Sequence, residues 1–295
     1  MASHVLTLHA ASVAELLDHV RDVRKTWNPG GVATEEIWFR GQRRSQWQLH
    51  PGLYRPHEAT KEYDDETLLE VFKALGARYS HANSDDWHWY FLAQHYGLPT
   101  RLLDWTENAL MGVFFAIYQT VEKMGKPEVE SRLKKPSAKP DFGDEAPCVW
   151  ILDAGTLNQV ALGDHCDNVL SLGGRLSEYY LPQETSEGDV KTFKVESGHK
   201  VTNKYPIAVL PSWGNVRLVA QQGMFTIHGV DRRPLDDIAR GGKRPRLAKV
   251  ILDRSRVANH WDDLATAGVN WHTVFPDLDH LATHICWMYD NRKSS

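Results

Sequence analysis

Ser12 followed by Glu15 makes a capping-box pattern, and Val13, Leu16, Leu17, Val20 and Val23 then recur at helical spacing, which predicts an amphipathic helix over 12–25. After the break Pro29-Gly30-Gly31, the segment 36–41 (EIWFRG) is β-branched and aromatic. It predicts a short strand that ends on Gly41 and delivers Arg40 to its rim. Helical patterning returns over 66–79 and over 85–95. Ser84 is the expected cap of the second, Asp85 and Asp86 suit its positive end, and Gly97 and Pro99 stop it. Over 106–121, Leu110, Val113, Phe114, Ile117, Tyr118 and Val121 keep helical spacing, while Phe115 and Ala116 widen the apolar face until it is nearly continuous. That is the pattern of a central buried helix.

From 122 to 147 the chain turns to Lys, Pro, Glu, Ser and Gly, too polar for a core, and reads as a flexible surface insertion. Strands are then predicted at 148–153, 207–210, 224–228 and 248–253, with helices at 156–162, 215–221, 255–267 and 277–290. Helices crowd the first half and strands the second, without the regular alternation of a parallel sheet. The expected class is therefore α+β: a single domain with a mixed or mostly antiparallel sheet flanked by helices.

Composition narrows the function classes. Over 295 residues, 34 Lys and Arg against 38 Asp and Glu give a net charge of −4, which excludes a polycation. Cys148, Cys166 and Cys286 are an odd number with no Cys-x-x-Cys pair, so reduced thiols and a cytoplasmic setting are expected. The longest apolar stretch, 109–118, is too short for a membrane span, and no membrane partner is expected. Eleven Trp and 15 His are an excess, expected to serve packing and surface, with a small subset in a pocket.

The densest polar cluster in apolar surroundings is 94–108, QHYGLPTRLLDWTEN. Its plainer reading makes Asp104 or Thr106 the N-cap of the buried helix, with Arg101 as ion-pair partner. Its functional reading has Arg101 and the helix N–H groups bind an anion such as a phosphate. Arg40 is open to the same choice, between an edge-strand ion pair and a ligand-binding guanidinium with Gly41 admitting close backbone approach. Gln42, Arg43, Arg44, Trp47, His50 and Tyr54 follow it, a basic and aromatic set suited to a nucleotide. Arg217 and Gln221 fall one turn apart, and Gln221 with Gln222 either satisfy backbone groups at a helix-to-strand corner or hydrogen-bond a ligand.

Phe39-Arg40-Gly41, the block 94–106, the segment 217–225 (RLVAQQGMF) and Phe275-Pro276-Asp277-Leu278-Asp279 resemble the motifs of the FRG domain family, named for its Phe-Arg-Gly. The resemblance runs over 36–282, with 1–35 as an N-terminal helix and lead-in and 283–295 as the end of the C-terminal helix and a tail. It implies a bacterial or phage effector in toxin or anti-phage defence contexts. The chain is also similar to ADP-ribosyltransferases, whose aromatic-Arg-Gly strand holds the pyrophosphate of NAD within a split α+β fold. By that likeness Arg40, Gly41, Arg101, Thr106, Gln221 and Gln222 bind the nucleotide, with NAD as cofactor. Those enzymes carry a Ser-x-Ser strand and a catalytic Glu, whereas the comparable segment here is Gln221-Gln222-Gly223. The base must come from elsewhere, and His95, Asp104 and Glu107 are the candidates.

Metal binding and nucleic-acid recognition are the alternative chemistries. His280 and His284 with Cys286, and His81, His88 and His95 at seven-residue intervals, offer metal-ligand spacing but no recognised motif, so no metal is expected. The segment 231–246 (DRRPLDDIARGGKRPR) holds six positive charges. Arg232, Arg233, Lys243 and Arg244 there could track a nucleic acid, making the protein a recognition module or, less directly, a nuclease, or they could line an ordinary solvated connection.

Overall fold

A computed structural model describes residues 5–30, 36–55, 63–79, 85–135, 137, 139–164, 166, 168–172, 175–185, 188–194, 198–211, 216–239 and 242–290. His81, Ser84, Asn215 and Arg240 lie outside the described residues. In chain order the elements are β1 (Leu6–Ala10), α1 (Val13–Trp27), β2 (Ile37–Gln42), α2 (Asp65–Gly76), α3 (Asp86–His95) and β3 (Leu102–Thr106). There follow α4 (Ala109–Met124), α5 (Lys126–Lys134), β4 (Cys148–Asp153), α6 (Ala154–Leu162), α7 (Arg175–Glu178), β5 (Thr192–Lys194) and β6 (Lys200–Thr202). The chain continues with β7 (Ile207–Val209), α8 (Val216–Ala220), β8 (Gly223–Ile227), β9 (Leu247–Leu252), α9 (Val257–Thr266), α10 (Trp271–Val274) and α11 (Leu278–Met288).

The fold is α+β. A seven-stranded sheet runs β1-β9-β4-β2-β3-β8-β7, and β5 with β6 makes a separate two-stranded sheet. The large sheet is mixed: β1 is parallel to β9 and the other registered neighbours are antiparallel. Residues alternate between its two faces as a pleat requires. Ile37, Phe39, Val149, Ile151 and Val250 pack toward α1, α4 and α9, whereas Trp38, Trp150, Leu152 and Leu247 pack on the opposite side. Trp38, Trp150 and Trp271 are among the largest fully buried side chains, so part of the tryptophan excess is core.

Four sequence expectations are corrected. β1 was not anticipated; its Leu6 and Thr7 are exposed, and its place is fixed by pairing with β9 rather than by its own pattern. Residues 102–106 form β3 instead of a link into a helix, and α4 starts at Ala109 with Asn108, not Asp104 or Thr106, as its N-cap. The stretch 122–147 is not simply a loop: α4 continues to Met124, α5 follows with Val129 buried, and Ala146 is fully buried. Asp85, inside the expected helix, caps α3 by accepting from the His88 N–H.

His228, just after β8, is buried, and its backbone N–H donates to the Arg101 carbonyl at 3.0 Å. Burial, reinforced by repulsion from His50 and Arg101, pulls its pKa down to about 3. In the unfolded chain the same group protonates near its ordinary value of 6.5, so the unfolded state takes up the proton first as pH falls. Stability is therefore full above pH 6.5 and declines as pH drops toward about 3. Urea midpoints at pH 7 and pH 5 test this: His228→Leu should lose less between the two than the parent, and an equal loss would remove His228 as a cause.

Candidate functional site

Along its whole length β2 is registered with β4, but it meets β3 at one pair, Phe39 opposite Thr106. Away from that pair β3 follows β8, with Asp104 opposite Phe225. The strands that carry Arg40 and Asp104 thus diverge, and a cleft of about 1210 Å³ lined by both residues opens between them. β2 is an interior strand of the sheet, so Arg40 is not the edge-strand arginine of the plainer sequence reading. Gly41 is also reassigned. A Cβ there would lie 2.1 Å from the Gly112 carbonyl and 2.5 Å from the Ala116 nitrogen, so the close backbone neighbour it admits is α4.

The Arg40 guanidinium reaches across the divergence. Its Nη1 donates to the Asp104 carbonyl and lies 3.7 Å from the Asp104 carboxylate. The Arg40 side chain is 12% exposed and that of Asp104 58%, so the cation is the desolvated partner. Burial pulls its pKa down to about 10, against the attraction of Asp104. Its Nε is buried with no acceptor. A buried donor left unpaired costs about 1–3 kcal/mol.

Asp104 is held from the side. Gln94 Nε2 donates to both carboxylate oxygens, at 3.2 and 3.1 Å. The Gln94 carbonyl accepts from the Thr100 hydroxyl, which fixes the amide orientation and points the NH2 at Asp104. Beside it His95 ends α3 half-buried; burial and then repulsion from Arg217 lower its pKa, keeping the imidazole neutral near pH 7.

The facing wall comes from the first of the two late motifs, backed by the second. Arg217 on α8 lies over the Phe275 ring, 4.5 Å from its centroid, and His280 stacks on the same ring at 4.1 Å. Two groups that close occupy opposite faces, so Phe275 is clasped between them. His280 Nδ1 lies 2.7 Å from an Asp277 carboxylate oxygen, tying the far side down. Gln221 Nε2 donates to the Val274 carbonyl at 3.1 Å, and the Gln221 carbonyl accepts from the Thr106 hydroxyl at 2.7 Å. Three of the four sequence motifs line this cleft, and the fourth, 275–279, lies behind it, with Phe275 under Arg217.

Of the sequence candidates, Arg40, Gly41, His95, Asp104, Thr106 and Gln221 line the cleft. Arg101, Glu107 and Gln222 are not among its lining residues. Arg101 is buried in the core, where it pairs with Asp65 at 2.6 Å, so it neither pairs with Asp104 nor offers its guanidinium to an anion in the cleft. Glu107 is exposed, and its backbone N–H donates to the Gln222 carbonyl at 3.1 Å. Gln222 is an exposed corner residue at φ 47. Gln94 belonged to the noted block, but nothing in its spacing from Asp104, ten residues away across a turn and a strand, marked it as the side chain that holds that carboxylate.

The basic segment is less available than its sequence suggests. Arg233 pairs with Asp231 at 2.6 Å, Lys243 with Asp164 at 2.6 Å and Arg246 with Asp153 at 3.3 Å. Among the described residues no group of three His, Cys, Asp or Glu side chains is placed to hold a metal ion. No helix among them is long and apolar enough to cross a membrane.

Residues 35–124 match the family model of the FRG domain. The match takes in the Phe-Arg-Gly strand, α3, β3 and α4, and is shorter than the 36–282 expected from the motifs; the two late motifs join it in space. Comparison with the curated proteins and with the solved structures finds no match.

Proposed function

We propose that this chain, which carries an FRG domain over residues 35–124, binds a phosphate-bearing nucleotide in the cleft. With NAD as substrate it transfers ADP-ribose to an acceptor, as an effector of bacterial or phage conflict. The observation that carries the reading is Arg40, a desolvated guanidinium at the cleft wall with an unpartnered Nε. A phosphate oxygen is the acceptor that suits it, because charge-assisted N–H···O⁻ bonds are stronger than neutral ones and a guanidinium can make two in parallel.

NAD supplies the chemistry of a labile bond: the link from ribose C1′ to the nicotinamide nitrogen breaks, its electron pair leaves with neutral nicotinamide, and an acceptor oxygen or nitrogen bonds to C1′. Among the described residues lining the cleft, Asp104 is the only carboxylate. A carboxylate held there stabilises positive charge developing on the ribose and can take the acceptor's proton. Gln94 keeps both its oxygens in place. His95, neutral near pH 7, is the second group able to accept a proton. Arg217 stands on the facing wall as a further cation for phosphate.

Calorimetric titration with NAD, combined with chromatography of released nicotinamide, tests the reading. Arg40→Lys should weaken binding about tenfold or more, the loss expected for one charged hydrogen bond. Asp104→Asn should cut nicotinamide release about 100-fold while NAD affinity and melting temperature change little. A folded parent protein that neither binds nor consumes NAD would end it.

A further inference from the structure

The outer part of the cleft carries more positive charge than one nucleotide needs. Besides Arg40 and Arg217, Arg43, Arg44 and Arg55 also line it. Arg44 pairs with Glu145 at 3.0 Å. Among the described residues no carboxylate is within ion-pair distance of Arg43, Arg55 or Arg232. At about 1210 Å³ the cleft also exceeds an ordinary small-molecule site, for which roughly 300–1,000 Å³ is usual.

We infer that this basic lining, from Arg43 and Trp47 to Arg55, together with the adjoining Tyr54 and Arg232 outside the cleft, binds a single-stranded nucleic acid. Trp47 is 37% exposed, and Arg43 and Arg44 lie over its ring at 5.3 and 5.5 Å. Arg232 lies over Tyr54 at 5.5 Å, directly before Arg55 in the chain. Guanidinium groups braced on aromatic rings give flat cationic platforms, on which unpaired bases stack while neighbouring phosphates meet the charge. A duplex hides its base faces, and an acidic peptide has no rings for such platforms. Of the basic segment picked out by sequence, Arg232 reaches this surface through Tyr54, whereas Arg233 and Lys243 are neutralised by Asp231 and Asp164. The inference does not depend on NAD being the inner ligand.

Fluorescence anisotropy with a labelled oligothymidylate of about ten nucleotides, within the usual site size of one such surface, is the test. Binding should weaken with a log–log salt slope of about −2, from three phosphate contacts at about −0.7 each. Arg43→Glu with Arg55→Glu should weaken it at least about tenfold and flatten the slope. Arg233→Glu with Lys243→Glu should leave it nearly unchanged. If the charge-reversed lining variant melts early, Arg43→Gln with Arg55→Gln replaces it. No binding by the folded parent protein at low salt overturns the inference. So does equal affinity for a duplex, equal competition by polyglutamate, or loss of binding in the Arg233 and Lys243 variant. NAD titrated into the same preparation separates the two proposals, since each can fail while the other ligand still binds.

Discussion

Arg101→Ala should destabilise the protein by about 3–5 kcal/mol, the usual consequence of stranding a buried charge. Arg101 is 1% exposed. Its Nε donates to Asp65 at 2.6 Å, Nη1 to the His228 carbonyl at 2.7 Å and Nη2 to the Tyr180 carbonyl at 2.7 Å. Tyr90 completes the network, donating to Asp65 at 3.0 Å and accepting from the Arg101 backbone N–H at 2.9 Å. One side chain thus joins α2, α3, the end of β8 and the chain just past α7. Alanine would leave the buried Asp65 carboxylate without its counter-charge, holding only the Tyr90 hydroxyl, and would take the guanidinium from two carbonyls in low-dielectric surroundings.

The double variant Arg101→Met with Asp65→Leu should recover part of the loss, because exchanging a buried ion pair for apolar groups costs less than breaking it. Arg101→Lys should stay well below the parent, since an ammonium cannot reproduce a three-way planar fork. Urea unfolding followed by circular dichroism measures all three. A single-variant cost under about 1 kcal/mol, typical of a surface pair, would show that the network is not what holds these segments.

Gly41→Ala should be comparably damaging, with a different cause. The added Cβ would meet backbone of α4, 2.1 Å from the Gly112 carbonyl and 2.5 Å from the Ala116 nitrogen. No rotamer change relieves a clash with backbone, so α4 must lift from the sheet along the surface where it packs against β2. Overpacking a core costs about 1–3 kcal/mol when side chains can adjust, and more is expected where they cannot. Gly52→Ala is the control, because its nearest neighbour would be at 3.7 Å. Melting temperatures should fall by several degrees for Gly41→Ala and hardly move for Gly52→Ala. Similar behaviour of the two would mean that α4 sits less tightly on β2 than described.

These two effects also show which parts of the Phe-Arg-Gly strand do what. Phe39 packs in the core with α4, Gly41 lets that helix approach, and Arg40 between them turns to the cleft. A single three-residue motif therefore combines two structural residues with one candidate ligand group.

Local pattern alone determined much of this protein. Apolar residues at 3.6-residue spacing placed α1, α4 and α9, and alternating or continuous apolar runs placed β2, β4, β8 and β9, because those periods follow directly from backbone geometry. The segregation of elements was enough for the α+β class, and three of the four motifs selected segments that meet at the cleft. Pairing was beyond local pattern. β1 is a strand because β9 lies beside it, and 102–106 is extended because β8 pairs with it, although the same residues beside Pro99 and an apolar helix read as a link. Charge partners were equally out of reach. Arg40 and Arg101 look alike in sequence, each near a turn and each open to an ion pair or a ligand, with Asp104 expected as the partner of Arg101. Only the divergence of β2 from β3 gives Asp104 to Arg40, and only the packing of α2 against α3 brings Asp65 to Arg101. Whether an arginine serves a ligand or the core depends on which carboxylate reaches it and how much water remains, and both are properties of the tertiary structure.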